Sequence, residues 1–191
     1  TEPASMGSST MPSTLDTAID SLPAPDHERS DSWGPEVLEQ IEWRRFEAVC
    51  EALFAQAGFE PRVEPGGGQR ATLLWLHSRH AQGPVAVASC RHWLNRPLGV
   101  VDLEPLKTAM ATYQLKRATC VTSGGFTRKA LEYAHKHGIN MLDGPALLGL
   151  IGRRRPEQQQ KLLDIAYEGE FWRPTCISCG GKMVERTTAA H

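Results

Sequence analysis

The sequence has no long apolar run, no large excess of charge of either sign and few cysteines. No stretch is long and apolar enough to span a bilayer, and no charged segment followed by an apolar one opens the chain, so we expect a cytoplasmic protein without a membrane partner. The net charge of −1 is far from that of a strongly basic polyanion-binding module. Three of the five cysteines lie singly in apolar runs, which is typical of reduced core thiols; they are Cys50, Cys90 and Cys120.

Residues 1–32 also lack aromatic side chains and any hydrophobic periodicity. They carry six acidic side chains and one basic side chain, so the rest of the chain has a net charge of +4 and leans mildly toward polyanions. Such a segment buries too little apolar surface to offset its ordering entropy. We predict a disordered acidic tail over residues 1–32, a main domain over 33–152, a linking helix over 153–169 and a small C-terminal segment over 170–191.

The main domain shows the alternation of helices and strands that is typical of the α/β class. Helical spacing begins at Pro35 and ends at Gly58 in what reads as one helix, on which Arg44 and Arg45 lie off the apolar stripe and should face solvent. Further helices are expected near 103–115, 127–137 and 145–151, and strands at 59–64, 71–77, 84–92, 118–122 and 139–142. The late alternation implies parallel strands with right-handed crossovers, hence a mixed central sheet flanked by helices.

Several motifs occur in an order and spacing that chance does not readily produce. They are Trp43-Arg44-Arg45-Phe46-Glu47, Gly58-Phe59, Cys90-Arg91-His92-Trp93, Val121-Thr122-Ser123-Gly124-Gly125-Phe126-Thr127 and Leu142-Asp143-Gly144. Together they resemble the Mrr-type restriction endonuclease domain, a branch of the PD-(D/E)xK nuclease superfamily, over about residues 33–151. The resemblance implies a restriction-endonuclease-like fold and double-stranded DNA as the partner, with a homodimer left open.

The resemblance also implies the positions of a catalytic site. In that family a helix glutamate, an aspartate after a glycine-rich turn and a Gln-x-Lys strand hold a divalent metal ion and position a water molecule against the phosphodiester. Glu47 matches the helix glutamate. The aspartate position falls on Thr72 or within one residue of it, and the Gln-x-Lys positions fall on Ser89 and Arg91.

These substitutions predict a degenerate, inactive nuclease site. A threonine supplies no carboxylate, and an arginine is charged at any workable pH and cannot act as a base. One alternative is an active Mg²⁺-dependent endonuclease that uses a relocated carboxylate, Glu60 or Glu64. Another is a non-enzymatic protein-interaction module, which a surface of exposed apolar residues near Phe171 and Trp172 would favour. Mg²⁺ is expected only if the nuclease site is active.

Glu47 occupies an apolar row of its helix, together with Trp43, Cys50 and Phe54. A carboxylate in such surroundings needs a partner. We favour an ion pair with a nearby arginine, for which Arg91 is the candidate, over a residual metal ligand.

The turn that follows the fourth predicted strand presents backbone N–H groups and a helix N-terminus, which suits a phosphate. The candidate contacts to nucleic acid are Ser123, Gly124, Thr127, Arg128 and Lys129. A simple strand-to-helix turn with a capped helix is the alternative explanation.

Cys176 and Cys179 form a CxxC pair that is followed by Gly180 and Gly181. The pair resembles the first knuckle of a topoisomerase-type zinc ribbon, so both residues are candidate zinc ligands. The 191 residues contain no second pair after Cys179, and the second half of the ribbon is expected beyond residue 191 or not at all. A redox-active disulfide is the competing interpretation.

Overall fold

Five strands form one mixed sheet with helices on both faces, in a computed structural model that describes residues 28–63 and 73–184. The sheet follows chain order from β1 to β5, with antiparallel pairing from β1 to β3 and parallel pairing from β3 to β5. The mixed α/β architecture predicted from the sequence is confirmed. The elements are α1 (Pro35–Gln40), α2 (Trp43–Gln56), β1 (Glu60–Val63), β2 (Leu73–His77), β3 (Pro84–Arg91), α3 (Val100–Thr112), β4 (Ala118–Thr122), α4 (Arg128–His137), β5 (Ile139–Leu142), α5 (Gly144–Gly152) and α6 (Pro156–Ala166).

The helices divide between the two faces of the sheet. One face packs against α1, α2, α5 and α6, and the other against α3 and α4. Side chains alternate along β3, with Val87 on the α3 side and Ala88 and Cys90 on the α2 side. Ser89 and Arg91 therefore lie on the α3 side.

The single helix predicted from Pro35 to Gly58 is wrong, because the chain breaks between α1 and α2. Ile41 and Glu42 both adopt extended backbone conformations, and the Glu42 side chain accepts a hydrogen bond from the backbone N–H of Arg44. Glu42 thus caps α2, and its own N–H donates to the carbonyl of Phe171 at 2.7 Å. The apolar stripe runs through both helices, so hydrophobic periodicity does not reveal the break.

Arg45 contradicts the expectation that both arginines of the motif face solvent. Its guanidinium binds the carboxylate of Glu168 and donates to the carbonyl of Ile165 at 3.4 Å. Arg45 therefore ties α2 to α6. Arg44 is half-exposed, as expected.

The α6 helix, which the sequence suggested as a linker, packs against α2. Its buried residues Leu162, Leu163 and Ala166 belong to the core cluster that contains α2. Phe171 joins the same cluster and is buried, with Trp172 packed against it. Phe171 therefore does not contribute to an exposed apolar surface of the kind that would favour a protein-interaction module.

The acidic tail lies mostly outside the described residues, which begin at Glu28. At its end, the backbone N–H of Ser30 donates to the Tyr167 hydroxyl at 3.0 Å, and the Arg29 guanidinium lies 5.8 Å from the ring centroid of Phe171. None of the helices in residues 28–63 and 73–184 has the length and apolarity that a membrane span requires.

Candidate functional site

Glu47 lies on α2 with a largely buried carboxylate that is bound by an arginine. The Nη1 of Arg44, one helical turn earlier, donates to its Oε2 at 3.0 Å. Glu47 also acts electrostatically on Arg91, where its negative charge raises the pKa of the guanidinium. A direct bidentate contact between Glu47 and Arg91 stays a prediction.

Ser89 and Arg91 lie at the carboxyl end of β3, facing α3. Ser89 is buried, and its Oγ makes no hydrogen bond to the described residues. Burial lowers the pKa of Arg91, while the negative charges of Asp102 and Glu47 and the thiol of Cys120 act in the opposite direction. An arginine in this position stays charged and cannot take a proton from water.

Arg91 belongs to a group of side chains that we call the Arg91 cluster: Arg91, Trp93, Arg96 and Asp102. The guanidinium carbons of Arg91 and Arg96 lie 5.2 and 4.4 Å from the ring centroid of Trp93. Asp102 accepts a hydrogen bond from the Gly99 N–H at 2.8 Å, and one of its oxygens lies 3.8 Å from Arg96 Nη2. The cluster therefore holds two cations against one aromatic ring at the end of β3.

The residues described at this site do not fit Mg²⁺. Mg²⁺ requires several oxygen ligands in near-octahedral geometry. The Glu47 carboxylate is paired with the guanidinium of Arg44. Residues 28–63 and 73–184 contain no group of three or more His, Cys, Asp or Glu side chains that could hold a metal ion. Thr72 and the glycine-rich turn before it lie outside the described residues.

The turn between β4 and α4 uses its N–H groups inside the fold. Those of Ser123, Gly124 and Thr127 donate to Arg91 O (3.2 Å), Thr122 Oγ1 (3.2 Å) and Leu98 O (2.9 Å), respectively. The Thr127 hydroxyl caps α4 by accepting from the Ala130 N–H at 3.1 Å. Their proposed role in phosphate contact stays a prediction, and the hydrogen bonds favour a structural role for this turn.

The close approach of a neighbouring loop explains why the turn has a glycine, Gly124, at its centre. A Cβ atom at this position would lie 2.1 Å from the carbonyl oxygen of Trp93, which real Cβ atoms do not approach so closely. The turn thus packs directly against the loop that carries Trp93 and Arg96. The Leu98–Phe126 bridge joins the same two segments. Arg128 and Lys129 follow as exposed side chains, Arg128 with Glu132 as its partner at 3.1 Å.

His92 links the end of β3 to the break between α1 and α2. Its ring stacks on Phe46 with centroids 5.1 Å apart. Burial lowers its pKa, opposed by a hydrogen bond to the Ile41 backbone and by the charge of Glu42. The carboxyl end of β3 is thereby connected to the segment that contains Glu42.

Glu42 is a residue that sequence reasoning missed. Its side chain is only 2% exposed and accepts from Thr175 N (3.2 Å), Thr175 Oγ1 (3.0 Å) and Lys182 Nζ (3.1 Å), in addition to Arg44 N. The Nε1 of Trp43 donates to the carbonyl of Thr175 at 2.8 Å. The contacts from Thr175 and Lys182 span more than 130 residues of sequence, so no local pattern predicts them.

The residues around the CxxC pair form a tight hairpin, residues 174–183, which we call the cysteine hairpin. Cys176 N donates to Gly181 O at 2.8 Å, and Gly180 N donates to Cys176 O at 2.9 Å, with Gly180 at a positive φ of 72°. Hydrogen bonds from the backbone of Cys179 and Ser178 lower the pKa of the Cys176 thiol. Both cysteines are free thiols, and Cys179 is exposed.

Several solved structures are similar to this chain. Among solved structures, the chain is similar to the DNA modification-dependent restriction endonuclease AspBHI, with 18% identity, a TM-score of 0.47, and coverage of 68% of this chain and 38% of that chain. It is also similar to MspJI restriction endonuclease in complex with a 27-mer oligonucleotide (14% identity, TM-score 0.41, 74% of this chain, 34% of that chain). A third similar structure is EndoMS in apo form (16% identity, TM-score 0.39, 51% of this chain, 45% of that chain).

The chain spans less than half the length of each of these three proteins. A search of curated proteins gave no match. Residues 38–151 match the Mrr_cat family model, described as restriction endonuclease, which covers more than half of the 191 residues. The match includes α2 with Glu47, the whole sheet, the Arg91 cluster and the turn before α4. The chain therefore belongs to the Mrr_cat restriction endonuclease family.

Proposed function

We propose that this protein binds double-stranded DNA through phosphate contacts and does not hydrolyse it. Restriction endonucleases of this family typically depend on Mg²⁺. The observation that carries the proposal is the Arg91 cluster, which puts a charged guanidinium where the resemblance expects the lysine that handles water. The positive charge also lies within electrostatic reach of Glu47, the one matching carboxylate.

The same edge of the sheet supports the DNA-binding half of the proposal. Arg96 is largely exposed, and the loop that carries it is hydrogen-bonded to the turn that leads to Arg128 and Lys129. Arginine side chains held against an aromatic ring lose little freedom on binding and contact phosphate through a planar fork. No base-reading motif is apparent, so we expect affinity that depends on salt and little on DNA sequence.

The DNA contact is tested by replacing Arg96 with alanine. If Arg96 binds one phosphate, Arg96→Ala weakens binding about equally for all DNA sequences and reduces the salt slope of log K by about 1. Fluorescence anisotropy of a labelled duplex, titrated over a range of salt concentrations, measures both quantities. Arg79→Ala is the matched control, since Arg79 is an exposed arginine in the β2–β3 turn, at the other end of β3.

The outcome decides between classes of protein. Equal effects of Arg96→Ala and Arg79→Ala on DNA affinity would show that the Arg91 cluster is not part of the DNA interface. No binding at low ionic strength would overturn the proposal and favour a protein-interaction module on the nuclease fold. Cleavage of the duplex in Mg²⁺ would favour the active endonuclease with a relocated carboxylate.

We also propose that the cysteine hairpin binds zinc through Cys176 and Cys179. Backbone hydrogen bonds favour the thiolate of Cys176, which is the form that binds metal. The pair lies in a hairpin closed by the Thr175–Lys182 bridge, and the glycines behind it allow the tight turn. Two sulfurs in such a turn supply half of a tetrahedral zinc site.

A further inference from the structure

A cavity of about 220 Å³ lies between α2, α5 and the strands β4 and β5. Nine of its twelve lining residues are apolar, and four of these are buried core residues: Cys50, Leu53, Val121 and Leu147. An apolar cavity of about 150 Å³ in a protein core is large enough to take up benzene. The cavity in this fold therefore has room for a somewhat larger apolar group.

The remaining three lining residues are polar: Thr119, Asn140 and Arg154. Thr119 and Asn140 are the second residues of β4 and β5, so the polar part of the wall lies toward the starts of these parallel strands. Asn140 is exposed and Arg154 is partly exposed, which places the opening of the cavity at this end. The cavity thus combines an apolar interior with a polar mouth.

Arg154 is the one charged residue among the described residues that line the cavity. Its Nε is buried and has no hydrogen-bond partner within residues 28–63 and 73–184. A buried donor without an acceptor costs free energy, and a carboxylate beside it would accept a charge-assisted hydrogen bond from the guanidinium. The polar mouth is therefore suited to an anionic group.

The cavity is separate from the Arg91 cluster. Arg91 lies at the carboxyl end of β3 and faces α3, whereas the cavity lies on the α2 side of the sheet, near the other end of its strands. A ligand in the cavity would not contact the residues that we assign to DNA, so the two sites can be tested independently.

We propose that this cavity binds a small carboxylate with an apolar tail of roughly six to nine carbon atoms. The tail packs against the buried residues Leu53, Val121 and Leu147, and the carboxylate accepts hydrogen bonds from Arg154. Apolar walls with a few placed polar groups are the usual form of a small-molecule site. A carboxylate suits the site better than a phosphate monoester, because such a phosphate carries more than one negative charge and the lining residues offer one cation.

The test is isothermal titration calorimetry of the 191-residue chain with phenylacetate and with phenylacetamide, its neutral analogue of the same shape. We expect saturable binding of phenylacetate with a Kd of about 0.1–1 mM, and binding of phenylacetamide that is about tenfold weaker. Arg154→Met should raise the Kd for phenylacetate about tenfold and leave that for phenylacetamide unchanged, because methionine keeps an apolar stem and removes the charge. Arg153→Met, a change of the exposed arginine one residue earlier, is the control and should alter neither Kd.

A second variant tests whether the ligand occupies the cavity. Ala57 lines the cavity and is exposed, so Ala57→Leu should fill part of the space while it shifts the Tm by no more than about 2 °C. It should block the binding of both compounds. Binding of phenylacetate that Ala57→Leu or Arg154→Met leaves unchanged, or no binding at concentrations up to about 10 mM, would overturn the proposal. Equal affinity for the acid and the amide would overturn the carboxylate as the ligand class.

Discussion

Replacing Glu42 with alanine is expected to lower the free energy of unfolding by about 3–5 kcal/mol. The carboxylate is buried and accepts four hydrogen bonds, one of them from the ammonium group of Lys182. Its removal leaves the Thr175 N–H and the partly buried Lys182 charge without their acceptor and takes away the cap of α2. Urea unfolding, followed by circular dichroism, measures the loss.

Glu39→Ala is the control for this prediction. Glu39 lies three residues earlier, at the end of α1, and is exposed, so its loss should change stability by no more than about 0.5 kcal/mol. Equal effects of the two substitutions would show that Glu42 does not hold the cysteine hairpin on the domain. Lys182→Met should fall between them, because the Lys182 side chain is about one-third exposed and its pairing is partly screened by solvent.

Restoring the residues that the resemblance expects should create a metal site. The triple variant Thr72→Asp, Ser89→Gln and Arg91→Lys adds a carboxylate, an amide oxygen and the lysine, and it removes the guanidinium that lies near Glu47. Mg²⁺ that binds only the folded state stabilises it by mass action, by about 2.7 kcal/mol at a concentration of 100 times Kd. Each kcal/mol raises the Tm of a chain of this size by about 2–4 °C.

The control is the same triple variant with Thr72→Asn in place of Thr72→Asp. It is isosteric with the first but lacks the added carboxylate, so Mg²⁺ should not raise its Tm. The unaltered protein should not respond to Mg²⁺ either. A rise in its Tm that requires Glu47 would mean that the present site already binds metal, and the degenerate-site interpretation would then be wrong.

The parts of the fold that the sequence predicts are those with local patterns. The apolar run of β3, the Thr127 cap of α4 and the Gly138 that ends it all follow from spacing and turn chemistry, and the structure confirms them. Gly138 adopts a left-handed conformation with φ of 69°, the usual end of such a helix. Parallel pairing of the last three strands follows from the helices that separate them.

The parts that the sequence does not predict depend on contacts between distant residues. The break at Glu42 is stabilised by residues of the cysteine hairpin. The α6 helix belongs to the core because Leu162 and Leu163 pack in the same cluster as residues of α2. Phe171 lies among charged residues of the sequence, and no local pattern marks it as a core residue. In the structure it is buried in the same cluster.

The sequence names the residues of the candidate site but does not predict the contacts that they make. Glu47, Ser89 and Arg91 follow from the motif order, but the stacking of Arg91 and Arg96 on Trp93 depends on the conformation of the loop after β3. The position of Asp102 near the start of α3 could be predicted from local sequence. It lies three residues after Gly99 and accepts a hydrogen bond from the Gly99 N–H, as is usual in the first turn of a helix. Arg44 as the partner of Glu47 follows from helical spacing and was available from the sequence.

We propose that this nuclease-family domain binds DNA and leaves it intact, and a plasmid assay tests both halves of the proposal. Methylated and unmethylated supercoiled plasmids, incubated with the protein in Mg²⁺ or Mn²⁺ and split between a gel-shift assay and a deproteinised gel, measure binding and cleavage in one sample. We expect retarded plasmid in the first gel and unbroken supercoiled plasmid in the second, for the unaltered protein and for Glu47→Ala alike. Nicked or linear plasmid that forms with the unaltered protein and disappears with Glu47→Ala would contradict it.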